Sequence, residues 1–173
     1  VQEIARMVDG PISAEVLSPD YEGMVLEARE IASWAPNVVA KIPSTLAGFE
    51  AIATLSREGV RTNQTLCFSV NQALLGARAG ASFVSPFVGR LDDEGHDGMQ
   101  VVAEIVDIYN RYGIGTKVLA ASIRHPLHCV AAAKAGAHIA TVPFKVLIQM
   151  AHHPLTDVGV LRFAEDWRRA LRV

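Results

Sequence analysis

The chain of 173 residues is long enough for one domain with a buried core, and 50% of its residues are hydrophobic while 20% are charged. A formal net charge of −2 excludes the basic footprint of a nucleic-acid-binding protein or a polybasic membrane patch. No apolar run approaches the roughly 20 residues of a membrane-spanning helix, and two cysteines in apolar surroundings favour a reducing compartment. We expect one cytoplasmic domain with no nucleic-acid or membrane partner.

Short β-rich segments alternate with helical patterns along the chain. Strands are predicted at PISAEVL, NVVAKIP, RTNQTLCF, SFVSPFV, TKVLAAS and HIATVP, and helices over 20–34, 45–58, 69–80, 97–112, 126–136, 144–152 and 156–171. The acidic stretch GRLDDEGHDG is predicted as a surface loop leading to a helix start. This strict alternation is typical of an α/β fold with parallel strands.

Polar residues on alternate strand positions distinguish a barrel from an open sheet. Strands buried on both faces of an open sheet should be almost continuously apolar. Here one face of each predicted strand carries the polar groups and the other is nearly all apolar. This pattern predicts a barrel with the polar face inside. The predicted inward residues are Ser13, Glu15, Val39, Lys41, Asn63, Thr65, Cys67, Phe83, Ser85, Phe87, Ala120, Ser122, Arg124, Ile139 and Thr141.

The number of units indicates a partial barrel. A complete TIM (β/α)8 barrel has eight strand–helix units, and the alternation in this chain supplies six. The chain opens on VQEIARMVDGP, which reads as the end of an amphipathic helix and a loop, without an initiator methionine. We therefore expect one barrel domain over residues 1–173 that lacks its first two units.

Lys41 lies in an apolar run, NVVAKIPSTLAG, near the C-terminal end of its strand, where barrel enzymes have their active sites. Burial there favours the neutral amine, which attacks a carbonyl to form a Schiff base. The other lysines are poorer candidates, since Lys117 begins its strand and Lys134 and Lys145 fall in helical segments. The alternative for Lys41 is a structural ion pair with a carboxylate.

Three further inward residues surround Lys41 in the predicted barrel. Glu15, on the neighbouring strand, can handle a water as general acid and base, or act as a counter-ion of Lys41, or both. Asn63 and Thr65 can hydrogen-bond substrate hydroxyls or that water, although an inward threonine is commonly a core residue.

A phosphate site is predicted at the end of a late strand. Ser122 and Arg124 in AASIRHP combine a hydroxyl with a guanidinium fork that binds oxyanions, and Arg90 in SPFVGR is a second candidate. A surface salt bridge is the alternative for either arginine. None of the six histidines completes a metal-ligand set, so no metal is assigned. These residues indicate an aldolase-type barrel enzyme acting on a phosphorylated keto compound.

The motifs VVAKIPST, AGFEAI, TNQTLCFS, VSPFVGR and LAASIRHP occur in one order and spacing, with PISAEV before them and FAEDWRRAL after them. Together they resemble the transaldolases, in the small single-barrel subfamily close to fructose-6-phosphate aldolase, over essentially the whole chain. The resemblance implies that Lys41 is the Schiff-base lysine, that Glu15 works through a catalytic water and that Thr65 helps to hold this water.

The same resemblance implies the substrate contacts. Asn63 matches a substrate-contacting asparagine, while Ser122 and Arg124 match the phosphate-binding pair, with Arg90 near the same end. Ser85 and Phe87, on the predicted inward face, are expected beside the substrate.

Two positions separate the subtypes of the family. The aldolase carries glutamine at the position of Glu15 and tyrosine at that of Phe87, so both residues here match transaldolase. The resemblance then implies transfer of a dihydroxyacetone unit from sedoheptulose 7-phosphate or fructose 6-phosphate to an aldose phosphate, in the pentose phosphate pathway and without a cofactor. It also implies a homo-oligomer, a decamer or pentamer-based ring, with VGVLRFAEDWRRAL as a contact helix.

Two alternatives stay open from the sequence. One is fructose-6-phosphate aldolase, which releases free dihydroxyacetone. The other is a non-catalytic truncated barrel paralogue. It is raised because an acid/base aspartate and a TTNP asparagine, which the family carries on its first two strands, are not found in this sequence.

Overall fold

The computed structural model describes residues 1–171, in which six strands form one parallel sheet. The strands are β1 (Ile12–Glu15), β2 (Val38–Pro43), β3 (Thr62–Cys67), β4 (Phe83–Pro86), β5 (Lys117–Ala120) and β6 (Ile139–Ala140). Each strand pairs in parallel with the next, in the order β1-β2-β3-β4-β5-β6. Parallel neighbours need long crossover connections, which the intervening helices supply. The predicted α/β alternation is confirmed.

Helices precede, connect and follow the strands. They are α1 (Gln2–Met7), α2 (Tyr21–Ser33), α3 (Leu46–Arg57), α4 (Val70–Ala79), α5 (Val88–Asp93), α6 (Gly98–Arg111), α7 (Pro126–Lys134), α8 (Phe144–Ala151) and α9 (Pro154–Ala170). The side chains of Asp20, Thr45 and Ser69 accept hydrogen bonds from backbone N–H groups in the first turns of α2, α3 and α4. These caps satisfy N–H groups that the helix itself leaves unpaired.

The helix α5 corrects one prediction. The first part of the stretch GRLDDEGHDG, predicted as a surface loop, belongs to this short helix. Val88 and Leu91 are buried, and their burial holds the helix in place. The expected helix start in the same stretch is found at Gly98, where the Asp97 side chain accepts from the N–H groups of Met99 and Gln100.

The sheet is curled, and its concave face encloses a cavity of about 490 Å³. All six strands, or the residues directly beside them, contribute to its lining: Pro11, Ser13, Lys41, Asn63, Phe83, Ser85, Leu119, Ala121, Ile139 and Thr141. A flat sheet cannot direct the first and the last strand into one cavity, so the curvature is that of a (β/α) barrel. The described residues contain six of the eight units of a complete barrel.

The convex face of the sheet packs against the helices in two hydrophobic clusters. One contains Ala40 and Ile42 of β2 together with residues of α2 and α3. The other contains Val84 of β4 and Val118 of β5 together with residues of α4, α6 and α7. Apolar side chains fill most of the helix side, although the buried Gln64 of β3 donates to the carbonyl of Gln72 in α4. Ser13, Lys41, Asn63 and Ser85 line the concave face.

The predicted inward face is wrong at Cys67. The register between β3 and β4 shifts between Gln64 and Cys67, and Leu66 adopts φ +51°, in the left-handed region. This irregularity turns Cys67 into the helix-side cluster, where it is fully buried. Burial raises the pKa of the Cys67 thiol to about 12, so this side chain stays a neutral core thiol.

The predicted inward face is also wrong along β5. Lys117 pairs with Phe83, and paired residues of neighbouring strands point to the same side of a sheet. Leu119 and Ala121 therefore line the cavity, while Ala120 is buried in the helix-side cluster. Ser122 and Arg124 lie beyond the end of this strand, so their positions do not follow from its alternation.

The last helix, α9, contributes no buried residue. Its aromatic side chains Phe163 and Trp167 are 74% and 66% exposed. Among residues 1–171, no helix has the length and the apolar character needed to cross a membrane.

Candidate active site

Lys41 and Glu15 form an ion pair at the cavity. The two residues are register partners on β1 and β2, so their side chains project from the same face of the sheet. The Nζ of Lys41 donates a hydrogen bond to the Oε2 of Glu15 at 3.1 Å. Their side chains are 24% and 43% exposed, respectively, so the pair is accessible to a substrate. The parallel register thus brings together an amine and a carboxylate that lie 26 residues apart in the chain.

A chain of hydrogen bonds runs across the strands beside Lys41 and is buried at its Asn63–Ser85 end. The Nδ2 of Asn63 donates to Ser13 Oγ at 2.9 Å, and Ser85 Oγ donates to Asn63 Oδ1 at 2.7 Å. Asn63 is also the register partner of Lys41. Because both ends of its amide are engaged, the orientation of the Asn63 side chain is fixed. This part of the cavity is therefore neutral, polar and rigid.

Thr65 is fully buried, and within residues 1–171 its Oγ1 has no hydrogen-bond partner. Its carbonyl oxygen accepts from both the backbone N–H and the Oγ of Ser44, at 2.9 and 2.7 Å. The Nε2 of Gln64 in turn donates to Ser44 Oγ at 2.9 Å. These hydrogen bonds hold Ser44, the residue that follows β2, against strand β3 near Lys41. A buried hydroxyl without a protein partner costs about 1–3 kcal/mol, which a bound molecule can offset.

Phe87 contacts two of the predicted cations. Its ring centroid is 5.8 Å from Lys41 Nζ and 4.9 Å from Arg90 Cζ, both within the range of a cation–π interaction. The ring also packs edge-on against Phe68 at 5.6 Å. Phe87 lies between the end of β4 and the first turn of α5, so the turn between these two elements brings Lys41 and Arg90 to one ring.

Arg90 and Arg124 lie in a second cavity of about 550 Å³. Its lining consists of Phe68, Arg90, Leu91, Asp93, Glu94, His96 and Arg124. The Nη2 of Arg124 donates to Asp93 Oδ2 at 2.7 Å, and both side chains are more than half exposed. The predicted site residues are thus divided: Lys41, Asn63 and Ser85 line the first cavity, the two arginines line the second, and Phe87 contacts both groups.

The backbone of Ser122 is packed tightly against α5. Ser122 has φ +59°, and its carbonyl accepts from the N–H of Gly89 at 3.1 Å. A Cβ at position 89 would lie 2.3 Å from that oxygen and 2.5 Å from Arg124 Nε, so only glycine allows this approach. The observed contact of Ser122 is through its backbone, and it holds the loop that carries Arg124 against α5.

Sequence reasoning assigned no role to Ser13, Asp92, Asp93 or His128. Ser13 stood on the predicted inward face, and that was the signal that could have selected it. No sequence signal pointed to the two aspartates or the histidine, because their contacts are made in the folded chain. Asp93, for example, binds Arg124, which lies 31 residues away in the sequence.

Two further properties of the site are its capacity to bind a metal ion and the protonation state of a histidine close to Arg124. Among the described residues, no group of three or more His, Cys, Asp or Glu side chains is arranged to hold a metal ion. The pKa of His128, close to Arg124, is lowered chiefly by burial and further by His125 and Arg124, whereas Asp92 raises it. The imidazole is therefore neutral at neutral pH.

Solved structures show similarity at the level of the fold. A mandelate oxidase mutant bound to an FMN adduct aligns with a TM-score of 0.59 at 17% sequence identity, covering 82% of this chain and 51% of that one. A second mandelate oxidase structure, with a brominated hydroxyphenylacetate derivative, gives a TM-score of 0.58 at 16% identity. At such identities only the chain trace is comparable.

Sequence relatives are much closer. Proteins named "Probable transaldolase" from Heliobacterium modesticaldum and Dehalococcoides mccartyi are 65% and 64% identical to this chain, over 96% and 97% of it and 78% of their own length. One from Carboxydothermus hydrogenoformans is 60% identical over 99% of this chain and 80% of its own. The sequence model of the family described as "Transaldolase/Fructose-6-phosphate aldolase" matches residues 1–172. These similarities are those of an enzyme of the aldolase or transferase type, and the chain belongs to the transaldolase/fructose-6-phosphate aldolase family.

Proposed function

We propose that the protein is a transaldolase that works through a Schiff base on Lys41. In this reaction the amine attacks the keto carbon of sedoheptulose 7-phosphate or fructose 6-phosphate. Carbon–carbon cleavage then releases an aldose phosphate, and the dihydroxyacetone unit held on Lys41 passes to an acceptor aldose phosphate. The observation that carries the proposal is the Lys41 amine at the cavity of a curled parallel sheet, 3.1 Å from the Glu15 carboxylate.

Glu15 supplies the proton transfers that the Schiff base requires. Attack needs the neutral amine, so a proton must first leave Lys41 Nζ, and the Glu15 carboxylate is within hydrogen-bond distance to accept it. The same carboxyl group can return a proton when the carbinolamine oxygen departs as water. The hydroxyl of Thr65, which has no hydrogen-bond partner among residues 1–171, is suited to orient that water. The ion pair that was the alternative for Lys41 is then the resting state of the catalytic pair.

The substrate is oriented by neutral groups at one end and by cations at the other. Asn63 and Ser85 line the cavity with Lys41 and can bind the sugar hydroxyls. Arg90 and Arg124 can bind the phosphate. A guanidinium has five N–H donors, and Asp93 accepts from the Nη2 of Arg124, so further donors are left for the phosphate. Ser122 contributes by holding the backbone beside Arg124. The cation–π contacts of Phe87 link the two ends of this binding site.

Phe87 favours transfer over release of dihydroxyacetone. After cleavage, the enamine on Lys41 is lost as free dihydroxyacetone when its carbon is protonated and the Schiff base hydrolyses. The phenyl ring near Lys41 Nζ has no proton to donate to the enamine carbon. The enamine is thereby preserved until an acceptor aldehyde binds.

The test is a coupled assay with fructose 6-phosphate, run with and without erythrose 4-phosphate as acceptor. We expect formation of glyceraldehyde 3-phosphate to depend on the acceptor. Release of free dihydroxyacetone at an equal or higher rate without the acceptor contradicts the transfer reaction and identifies the aldolase. If the protein shows no turnover, and sodium borohydride traps no covalent sugar adduct on Lys41, the non-catalytic alternative is favoured.

We also propose that the protein is a cytoplasmic homo-oligomer, a decamer or pentamer-based ring, with α9 in a contact between copies. Val160, Phe163 and Trp167 share one face of this helix and are exposed. The free thiols of Cys67 and Cys129 fit a reducing compartment.

Introducing charge on this face is expected to dissociate the assembly. Because the introduced carboxylates cannot be buried against a second copy, we expect Phe163→Glu with Trp167→Glu to lower the mass measured by sedimentation equilibrium to that of smaller species. Arg162→Glu, on the opposite face of α9, is the matched control and should keep the wild-type mass. An unchanged mass for the double variant would exclude α9 from the interface.

A further inference from the structure

His128, on α7, lies between Arg124 and Asp92. The backbone N–H of Arg124 donates to His128 Nδ1 at 3.2 Å. On the other side of the ring, His128 Nε2 is 3.0 Å from Asp92 Oδ2, and the His128 side chain is only 12% exposed. Asp92 Oδ1 accepts from the N–H of Gly98, the first residue of α6. One imidazole thus connects the Arg124 loop to two helices of the neighbouring unit.

These contacts determine the tautomer of His128. An N–H group can donate only to an imidazole nitrogen without a proton, so Nδ1 must be the acceptor and Nε2 must carry the hydrogen. The Nε2–H then donates to the Asp92 carboxylate, which keeps the ring oriented with Nδ1 toward Arg124. The same orientation of a histidine by a carboxylate operates in catalytic triads and metal sites.

The loop that His128 holds is strained. Ser122 is a non-glycine residue at φ +59°, an unfavourable left-handed conformation that persists only where the surroundings impose it. On one side the loop is bound by α5, where Val88 N and Gly89 N donate to the carbonyls of Ala121 and Ser122 at 3.0 and 3.1 Å. On the other side the bond from Arg124 N to His128 holds it. The position of the Arg124 side chain therefore depends on His128.

We propose that His128, oriented by Asp92, is a positioning residue that holds Arg124 in the conformation that binds the phosphate of the substrate. The inference rests on the phosphate site proposed above and adds a determinant of its affinity and of its pH dependence. His128 does not touch the substrate; it acts through the backbone of Arg124.

Neutral His128 is required for this role. Protonation would place a hydrogen on Nδ1 facing the Arg124 N–H, so the acceptor would be lost and two donors would oppose each other. The groups that face the ring are Asp92 from α5, His125 at the start of α7 and the Arg124 loop. Burial is the largest cause of the lowered pKa of His128. The contact is therefore complete at and above the usual pKa of histidine and is lost as the pH falls through the lower value in the folded protein.

The test measures sulfate binding by isothermal titration calorimetry, because sulfate, unlike phosphate, keeps its charge over the pH range used. His128→Phe keeps the ring volume and removes the acceptor, whereas the Oδ1 of His128→Asn replaces Nδ1. His138→Phe is the matched control, since His138 Nδ1 accepts from Val118 N at 3.2 Å at the opposite end of β5. Arg124→Ala tests the phosphate site itself.

We expect Arg124→Ala to weaken sulfate binding more than about tenfold, with Arg90 left as the remaining guanidinium of the cavity. A single neutral hydrogen bond corresponds to about a tenfold change in an equilibrium constant, so His128→Phe should raise the Kd about tenfold, while His128→Asn and His138→Phe stay within about threefold of wild type. Between about pH 8 and pH 5, across the titration range of histidine, wild-type affinity should fall more steeply than that of His128→Asn. In steady-state assays His128→Phe should raise KM for fructose 6-phosphate and leave kcat nearly unchanged.

The variants separate the two proposals. Wild-type sulfate affinity in Arg124→Ala overturns the role of Arg124 in the phosphate site and, with it, the role of His128. Weakened binding in Arg124→Ala together with wild-type affinity in His128→Phe leaves the phosphate site standing and overturns the positioning role. Equal weakening of sulfate binding by His128→Phe and His138→Phe would mean that the lower affinity reflects a general loss of stability. This result also overturns the positioning role of His128.

Discussion

Replacing Lys41 by methionine is expected to abolish both turnover and the covalent adduct. Methionine keeps an unbranched side chain in the cavity but lacks the amine that forms the Schiff base, so we expect kcat to fall by about 10⁴-fold or more. The adduct is measured by treating the protein with fructose 6-phosphate and sodium borohydride and recording the intact mass. Wild type should gain a single reduced sugar adduct, and Lys41→Met should gain none.

Lys117→Met is the matched control for this experiment. Lys117 begins β5 and is exposed at the opposite end of the sheet from the predicted active site, so its replacement should leave the adduct intact. Peptide mapping assigns the modified residue among Lys41, Lys117, Lys134 and Lys145. An adduct on any lysine other than Lys41, or one that persists in Lys41→Met, contradicts the proposed nucleophile.

Removing the carboxylate of Glu15 is expected to lower kcat by about 10²–10⁴-fold, the usual contribution of a general acid or base. Glu15→Ala removes the group that accepts a proton from Lys41 Nζ at 3.1 Å. Because Arg90 and Arg124 remain, KM for the sugar phosphate should change little. Adduct formation should be slowed but not eliminated, since Lys41 is still present. Steady-state kinetics and the rate of borohydride trapping measure the two effects.

Glu15→Gln distinguishes proton transfer from ion pairing. Its amide oxygen can still accept the hydrogen bond from Lys41 Nζ, but it cannot take up the proton at neutral pH. We expect its kcat for transfer to be close to that of Glu15→Ala. A Glu15→Gln variant as fast as wild type would make Glu15 a hydrogen-bonding partner of Lys41 and remove it from the acid–base chemistry.

Much of the fold was predictable because it depends on local patterns. Apolar residues recur with a period of two in the strands and with helical spacing between them, and capping residues such as Thr45 and Ser69 mark helix starts. These signals need only neighbouring residues, so the six strands and the order of the main helices were correctly predicted. The motif order also identified the family.

The inward face could be predicted only where the two faces of a strand differ. In β1 and β2 the polar residues Glu15 and Lys41 mark one face, and the register places them together. In β5 the polar residues Ser122 and Arg124, which alternate with Ala120, lie beyond the end of the strand, and pairing with β4 places Leu119 on the inward face instead. The φ of +51° at Leu66 reversed the expected direction of Cys67 without any sequence signal.

By itself, the sequence determined the α/β class, the family and the candidate residues around Lys41, because composition, period and motif spacing are properties of the chain alone. Only the tertiary structure decided which of these residues share a cavity, that Phe87 contacts both Lys41 and Arg90, and that His128 holds the Arg124 loop. The difference has a physical cause. Strand register, loop conformation and the tautomer of a buried imidazole are set by partners distant in the chain, and no local pattern encodes them.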